Sequence, residues 1–130
     1  MAASSTPITL LIVDDNSGIR TLLAALARRD TGLRVVGEAA NGLEAVEVAG
    51  EYRPDVVILD IMMPEMDGIE AIPGILDASP ESRIVMYSAY AESREAAMEK
   101  GAHGWCLKGE PWDAMAAEIR RVVSERDAVG

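Results

Sequence analysis

Residues 56–60 read Val-Val-Ile-Leu-Asp, four aliphatic side chains in succession and then one carboxylate. A strand apolar at both odd and even positions has to be covered on two faces, the condition of a parallel sheet layered between helices. Pro54 breaks the chain just ahead of it. Toward the N-terminus, Ile8 to Val13 is a second aliphatic run, ending on Asp14, Asp15 and Asn16. Ile19, Leu22, Leu23 and Leu26 then recur at the spacing of one helical face. Gly32 closes that helix, and Leu33 to Gly37 reads as a weaker strand. Asn41 with Glu44 three residues on has the form of a capping box and predicts a helix to about Gly50.

Toward the C-terminus, Asp67 is a candidate cap for a third helix, inside which Pro73 should kink or delay the hydrogen bonding. Ile84 to Tyr87 is a fourth strand ending at Ser88, followed by a helix over roughly Glu92 to Lys100 that Gly101 closes. Trp105, Cys106 and Leu107 form a short fifth strand ending at Lys108. Pro111 precedes a last helix whose inner face is Met115, Ile119, Val122 and Val123. Five successive strand–helix units predict an α/β fold, a doubly wound parallel sheet with right-handed crossovers.

The 130 residues are 49% hydrophobic and contain no Phe, which fits one domain with a core of Val, Ile, Leu, Met and Ala. A tail is expected over 1–7, the domain over 8–126, and a second tail or the start of a linker over 127–130. With 22 acidic residues against 12 basic ones the formal net charge is -10, a surface that repels phosphate backbones and anionic lipid. No direct nucleic-acid or membrane binding by these residues is therefore expected. One cysteine, Cys106, excludes an internal disulfide, and one histidine, His103, excludes a multi-histidine metal site. Met1 to Pro7 does not read as a signal peptide, and no apolar run approaches the ~20 residues of a membrane span. A cytoplasmic domain is the expectation.

In open α/β sheets, ligands bind beyond the carboxyl ends of the strands. Those ends carry Asp14 and Asp15, then Glu38, Asp60, Ser88 and Lys108. Taken singly each has an ordinary reading: the Asp14–Asp15 pair as a helix cap, Asp60 and Ser88 as turn residues, Lys108 as a solvated cation. Taken together they describe a chemistry. Three carboxylates at one edge repel one another unless they share a cation, and hard oxygen ligands suit Mg²⁺. A lysine and a hydroxyl beside them become useful when a phosphoryl group arrives, since its oxygens need counter-charge and a donor. Asp60 is then the candidate nucleophile, forming an aspartyl phosphate.

The segments IVDDN (12–16), ILDIMMPEMDG (58–68), MYSAY (86–90) and WCLKG (105–109) carry a resemblance to a known family. From about Ile8 to Val123 the chain resembles the receiver domain of two-component response regulators. Lys108-Gly109 and Pro73 make it most like receivers that precede a LuxR-type helix-turn-helix domain. The resemblance implies a flavodoxin-like (βα)5 fold with strand order 2-1-3-4-5. It implies that Asp15 ligates Mg²⁺ directly, Asp14 mainly through water, and that Asp60 and the Met62 carbonyl complete the protein ligands. Asp60 would take the phosphoryl group from a sensor histidine kinase or phosphotransfer protein, with Ser88 and Lys108 on its oxygens and Met62 and Tyr90 flanking it.

Further implications concern the output. Ser88 and Trp105 would form the switch that alters an output or dimerisation surface, Trp105 standing where the family usually has Tyr or Phe. The alternative is that Trp105 only packs. The expected function is a signalling switch, an enzyme only toward its own phosphorylation and dephosphorylation, controlling transcription through a helix-turn-helix effector domain in a longer chain. A homodimer on phosphorylation, and a stand-alone receiver acting through protein–protein contacts, are the other arrangements considered. A phosphatase of the haloacid dehalogenase type fits poorly, because its Asp-x-Asp-Gly directly follows a strand and here the partial echo Glu65-Met66-Asp67-Gly68 follows Met63-Pro64.

Overall fold

Val56–Asp60 forms strand β3, buried at all five positions, at the centre of a five-stranded sheet in the order β2-β1-β3-β4-β5. The structure is a computed structural model that describes residues 6–129, so residues 1–5 of the expected N-terminal tail and Gly130 lie outside the described residues. The strands β1 (Ile8–Val13), β2 (Leu33–Ala39), β3, β4 (Arg83–Ser88) and β5 (Gly104–Leu107) are all parallel. They alternate with α1 (Ser17–Arg28), α2 (Gly42–Tyr52), α3 (Gly68–Ala78), α4 (Arg94–Glu99) and α5 (Trp112–Val129). This is the expected flavodoxin-like (βα)5 arrangement.

Strand parity sorts the core into two layers. Leu10, Ile12, Ile58, Val85 and Cys106 meet Leu23 and Ala27 of α1 and Met115, Ile119 and Val122 of α5. Leu11, Val13, Val57, Leu59, Ile84 and Met86 face the other way, against Ala45 and Ala49 of α2, Ala71, Ile72 and Ile75 of α3 and Ala97 of α4. Burying each Val, Leu or Ile contributes about 1.5–3 kcal/mol, and Ala45 and Ala49 present only small buried side chains from α2 to the sheet.

Several boundaries differ from the sequence expectation. Gly32 does not close α1. The helix ends at Arg28, and Gly32 donates to the Asp30 carboxylate at 3.0 Å in the turn that follows. β2 continues to Ala39 because its ladder with β1 continues to Val13. The capping box of α2 is offset by one residue: Asn41 accepts from the Glu44 amide, but Glu44 accepts from Ala40. That helix runs to Tyr52 and ends on Arg53 at φ 47°. In α3 the box is complete, Asp67 and Glu70 accepting from each other's amides, and Pro73 does not interrupt the helix. The fourth helix is shorter than expected: Ala91–Ser93 is a 3₁₀ turn and neither it nor α4 has a side-chain cap. α5 runs three residues past 126, where the tail was expected, with Arg126 paired to Asp55 at 3.1 Å and Asp127 at 2.9 Å.

At the sheet's amino end, Asp55 accepts from both the amide and hydroxyl of Thr9, while Ser82 bonds Ser79 and the Pro54 carbonyl. At the β5 edge, the outward Trp105 and Leu107 amides donate to the carboxylates of Glu118 (3.0 Å) and Glu110 (2.8 Å). Among the described residues, no helix is long and apolar enough to cross a membrane.

Candidate functional site

The carboxyl ends of β1, β3, β4 and β5 surround a cavity of about 290 Å³ lined by Asp14, Asp15, Asp60, Met62, Ser88 and Lys108, with Tyr90 at its margin. The cap of α1 explains how the two aspartates of β1 remain available. Asn16, not either aspartate, accepts from the Gly18 and Ile19 amides, at 2.8 and 3.1 Å. Asp14 turns inward, is almost fully buried, and accepts from the Asn16 amide at 2.9 Å. Asp15 is exposed, and its carboxylate meets no protein donor among the described residues.

Asp60 is buried at the tip of β3, one oxygen (Oδ1) accepting from the Ile61 amide at 2.9 Å. The Lys108 ammonium lies 3.1 Å from that same oxygen and 3.2 Å from Asp14 Oδ2, bridging two buried acids. Oxygens of Asp14, Asp15 and Asp60 all lie within 4.8 Å of one another. Burial, then the neighbouring Asp14 charge, hold the Asp60 carboxyl above the usual carboxylate range, with Lys108 opposing both. For Lys108, burial works against the ammonium, but Asp60 and Asp14 outweigh it and raise its pKa. Among the three clustered carboxylates Lys108 pairs with two, and the residual negative charge and all-oxygen donor set fit a hard divalent cation such as Mg²⁺.

Ser88 is buried, and its hydroxyl oxygen accepts from the Tyr90 amide at 3.0 Å, leaving the O–H to donate. Met62 has an exposed side chain, and its carbonyl accepts no backbone hydrogen bond among the described residues. Trp105 does not line this cavity. It sits half-buried on β5 in register with Met86, packed against the layer of α2 to α4.

Three supports of the site escaped the sequence reading. A Cβ at Gly68 would lie 2.0 Å from the Asp60 carbonyl oxygen, so only glycine lets α3 begin against the end of β3. Its amide donates to Ile61 at 2.8 Å, which fixes the loop that carries Met62. The Tyr87 ring lies 5.5 Å from the Lys108 ammonium. Arg20, one turn into α1, reaches back to the Asp14 carbonyl and to Glu38. The glycine after Asp67 was visible as part of a motif, but a contact between β3 and α3 has no local signal.

His103 and Cys106, set aside in the sequence, take structural places. His103 Nδ1 accepts from the Ile84 amide at 3.0 Å, and burial, aided by Arg83, lowers its pKa to about 4. Burial pushes the Cys106 thiol up to about 12, Glu110 adding to the effect. The Lys108–Gly109 bond is trans, with Gly109 at φ 100°.

Comparison with known proteins places this geometry in context. Residues 10–120 match the model of the response regulator receiver domain. Chemotaxis protein CheY of Listeria monocytogenes is 43% identical over 103 residues, 78% of this chain and 86% of that protein. The nitrate/nitrite response regulator protein NarL of Escherichia coli is 37% identical over 114 residues, 85% of this chain but 53% of NarL. Among solved structures, a LuxR-family two-component response regulator from Aurantimonas sp. superposes with a TM-score of 0.87 at 28% identity, covering 93% of this chain and 88% of that one.

Proposed function

The chain belongs to the family of response regulator receiver domains, and from that premise we propose that it accepts a phosphoryl group on Asp60. The observation that carries this reading is the Lys108 ammonium shared between Asp14 and Asp60 at the mouth of the cavity. Because Asp60 Oδ1 is committed to Ile61 and Lys108, Oδ2 is the oxygen that attacks. A bond forms between Oδ2 and phosphorus while the bond from phosphorus to the donor breaks, its electron pair leaving with the donor group. Lys108 then turns part of its charge to a phosphoryl oxygen, and the Ser88 O–H donates to another. Asp15, Asp14, Asp60 and the Met62 carbonyl would hold Mg²⁺, Asp14 mainly through water, and the bound ion would supply charge neutralisation to the transferring group.

The donor is a phosphohistidine of a sensor histidine kinase or phosphotransfer protein, acting in the cytoplasm. The chain catalyses only its own phosphorylation and dephosphorylation, and Met62 and Tyr90 at the cavity's margin set the lifetime of the product. Movement of Ser88 toward the new charge, followed by Trp105, alters the output or dimerisation surface. Likeness to the LuxR-family response regulator from Aurantimonas sp., together with the fact that the chain spans about half of NarL, supports transcription control through a helix-turn-helix effector domain in a longer chain. Likeness to CheY over 86% of that protein's length supports the second reading, a stand-alone receiver working through protein contacts.

The test is intact-mass analysis with Mg²⁺ and acetyl phosphate. The chain should gain one phosphoryl group, which Asp60→Asn abolishes. A label that survives Asp60→Asn would overturn the assignment.

A further inference from the structure

Asp15 poses a positioning problem. Its side chain is exposed and meets no protein donor among the described residues, so its carboxylate is placed only by the backbone on either side. That backbone is held from three directions. The Asp14 amide donates to the Ala39 carbonyl at 3.1 Å, tying the tip of β1 to the tip of β2. The Asn16 amide donates to Asp14 Oδ1 at 2.9 Å. The third hold is Arg20: its NH1 donates to the Asp14 carbonyl at 2.6 Å, fixing the plane of the peptide that joins Asp14 to Asp15.

Arg20 is itself oriented. Its Nε donates to Glu38 Oε1 at 3.1 Å, and its side chain is only 18% exposed. The two bonds use different edges of the planar guanidinium, a fork that the single ammonium of lysine does not reproduce. The pair also solves an electrostatic conflict. An unmatched guanidinium beside three metal-binding acids would repel a divalent cation, whereas the arginine with Glu38 adds no net charge.

We propose that Arg20 is a positioning residue for metal binding: it locks the Asp14–Asp15 peptide so that both carboxylates face the ion, and Glu38 orients it and cancels its charge. This rests on the reading of Asp14, Asp15 and Asp60 as the metal acids. Coulomb attraction and geometry predict opposite signs, which makes the idea sharp. Deleting the arginine's positive charge alone would tighten Mg²⁺ binding; losing the peptide lock weakens it. Groups that orient metal ligands typically change affinity 10–100-fold.

The experiment is calorimetric titration with Mg²⁺, without phosphodonor, of the unaltered chain, Arg20→Lys, Arg20→Met and the charge-balanced double variant Arg20→Met/Glu38→Met. All three variants should bind Mg²⁺ about tenfold more weakly, and phosphorylation by acetyl phosphate should regain its rate when Mg²⁺ is raised in proportion. Thermal unfolding in chelator is measured in parallel, and Arg20→Lys and the double variant supply the test should Arg20→Met fold poorly. Equal or tighter binding by Arg20→Met and by the double variant overturns the inference while leaving the phosphoryl switch intact. Failure of the unaltered chain to bind Mg²⁺ overturns both.

Discussion

The two ends of the sheet both bury polar groups, but they balance them differently. At the amino end, Asp55 is matched by Thr9 and Arg126, and Ser79, Ser82 and the Pro54 carbonyl complete one another. At the carboxyl end, Asp14 and Asp60 share a single ammonium, and Asp15 beside them has no protein donor among the described residues. The first arrangement is self-sufficient and ties β1, β3 and α5 together. The second is complete only with ligands from outside. A charge surplus therefore distinguishes the candidate site from a structural cluster better than burial does, since each end contains buried polar side chains.

This contrast is broken most severely by Lys108→Met. Phosphorylation by acetyl phosphate should be lost. Without Mg²⁺ the fold should lose about 3 kcal/mol, because two buried acids are left without a cation. Urea unfolding should show that Mg²⁺ restores most of that loss, and a loss indifferent to Mg²⁺ would contradict the comparison. Asp55→Ala should cost a similar or slightly smaller amount, about 2 kcal/mol, through the unpaired Thr9 amide and Arg126. Here Mg²⁺ should recover nothing beyond what it adds to the unaltered chain, and labelling of Asp60 should persist.

The effect smallest near neutral pH is that of His103. His103 accepts a hydrogen bond at Nδ1 and holds a pKa of about 4, against about 6.5 when unfolded. The unfolded chain takes up a proton that the folded one refuses, so this contribution is whole above pH 6.5 and is lost as pH falls toward 4. Arg83, Val122, Glu125 and Arg126 line the cavity beside the ring, and after burial the Arg83 charge also disfavours its protonation. In His103→Gln, whose amide oxygen still accepts from Ile84, stability should fall less steeply over that range. The difference is up to about 1.4 kcal/mol per pH unit. Parallel pH profiles for the two chains would remove His103 from the account.

The strand tips were legible in the sequence because each apolar run ends abruptly on a polar residue. Asp14, Asp60, Ser88 and Lys108 follow from that reading, together with the parity that brings them to one rim. Their supports were not, since each depends on a partner distant in sequence. Arg20 looks like any helical arginine until Glu38 and the Asp14 carbonyl stand beside it. Gly68 reads as a helix start until the Asp60 carbonyl is seen against it. Trp105 packs against the layer of α2 to α4 and does not line the cavity, so the switch role proposed for it would depend on movement that residue type does not encode. Helix ends failed for a local reason. Asn16 displaced the aspartates as cap because its side chain reaches two amides at once, and α4 shrank where no side chain caps its start.

The carboxylates of Glu110 and Glu118 give the outer margin of β5 a property of its own. With its outward amides occupied, this margin offers a neighbouring chain no ladder to extend. Any assembly reached from that side has to be built from helix faces and loops rather than from continuous strand pairing.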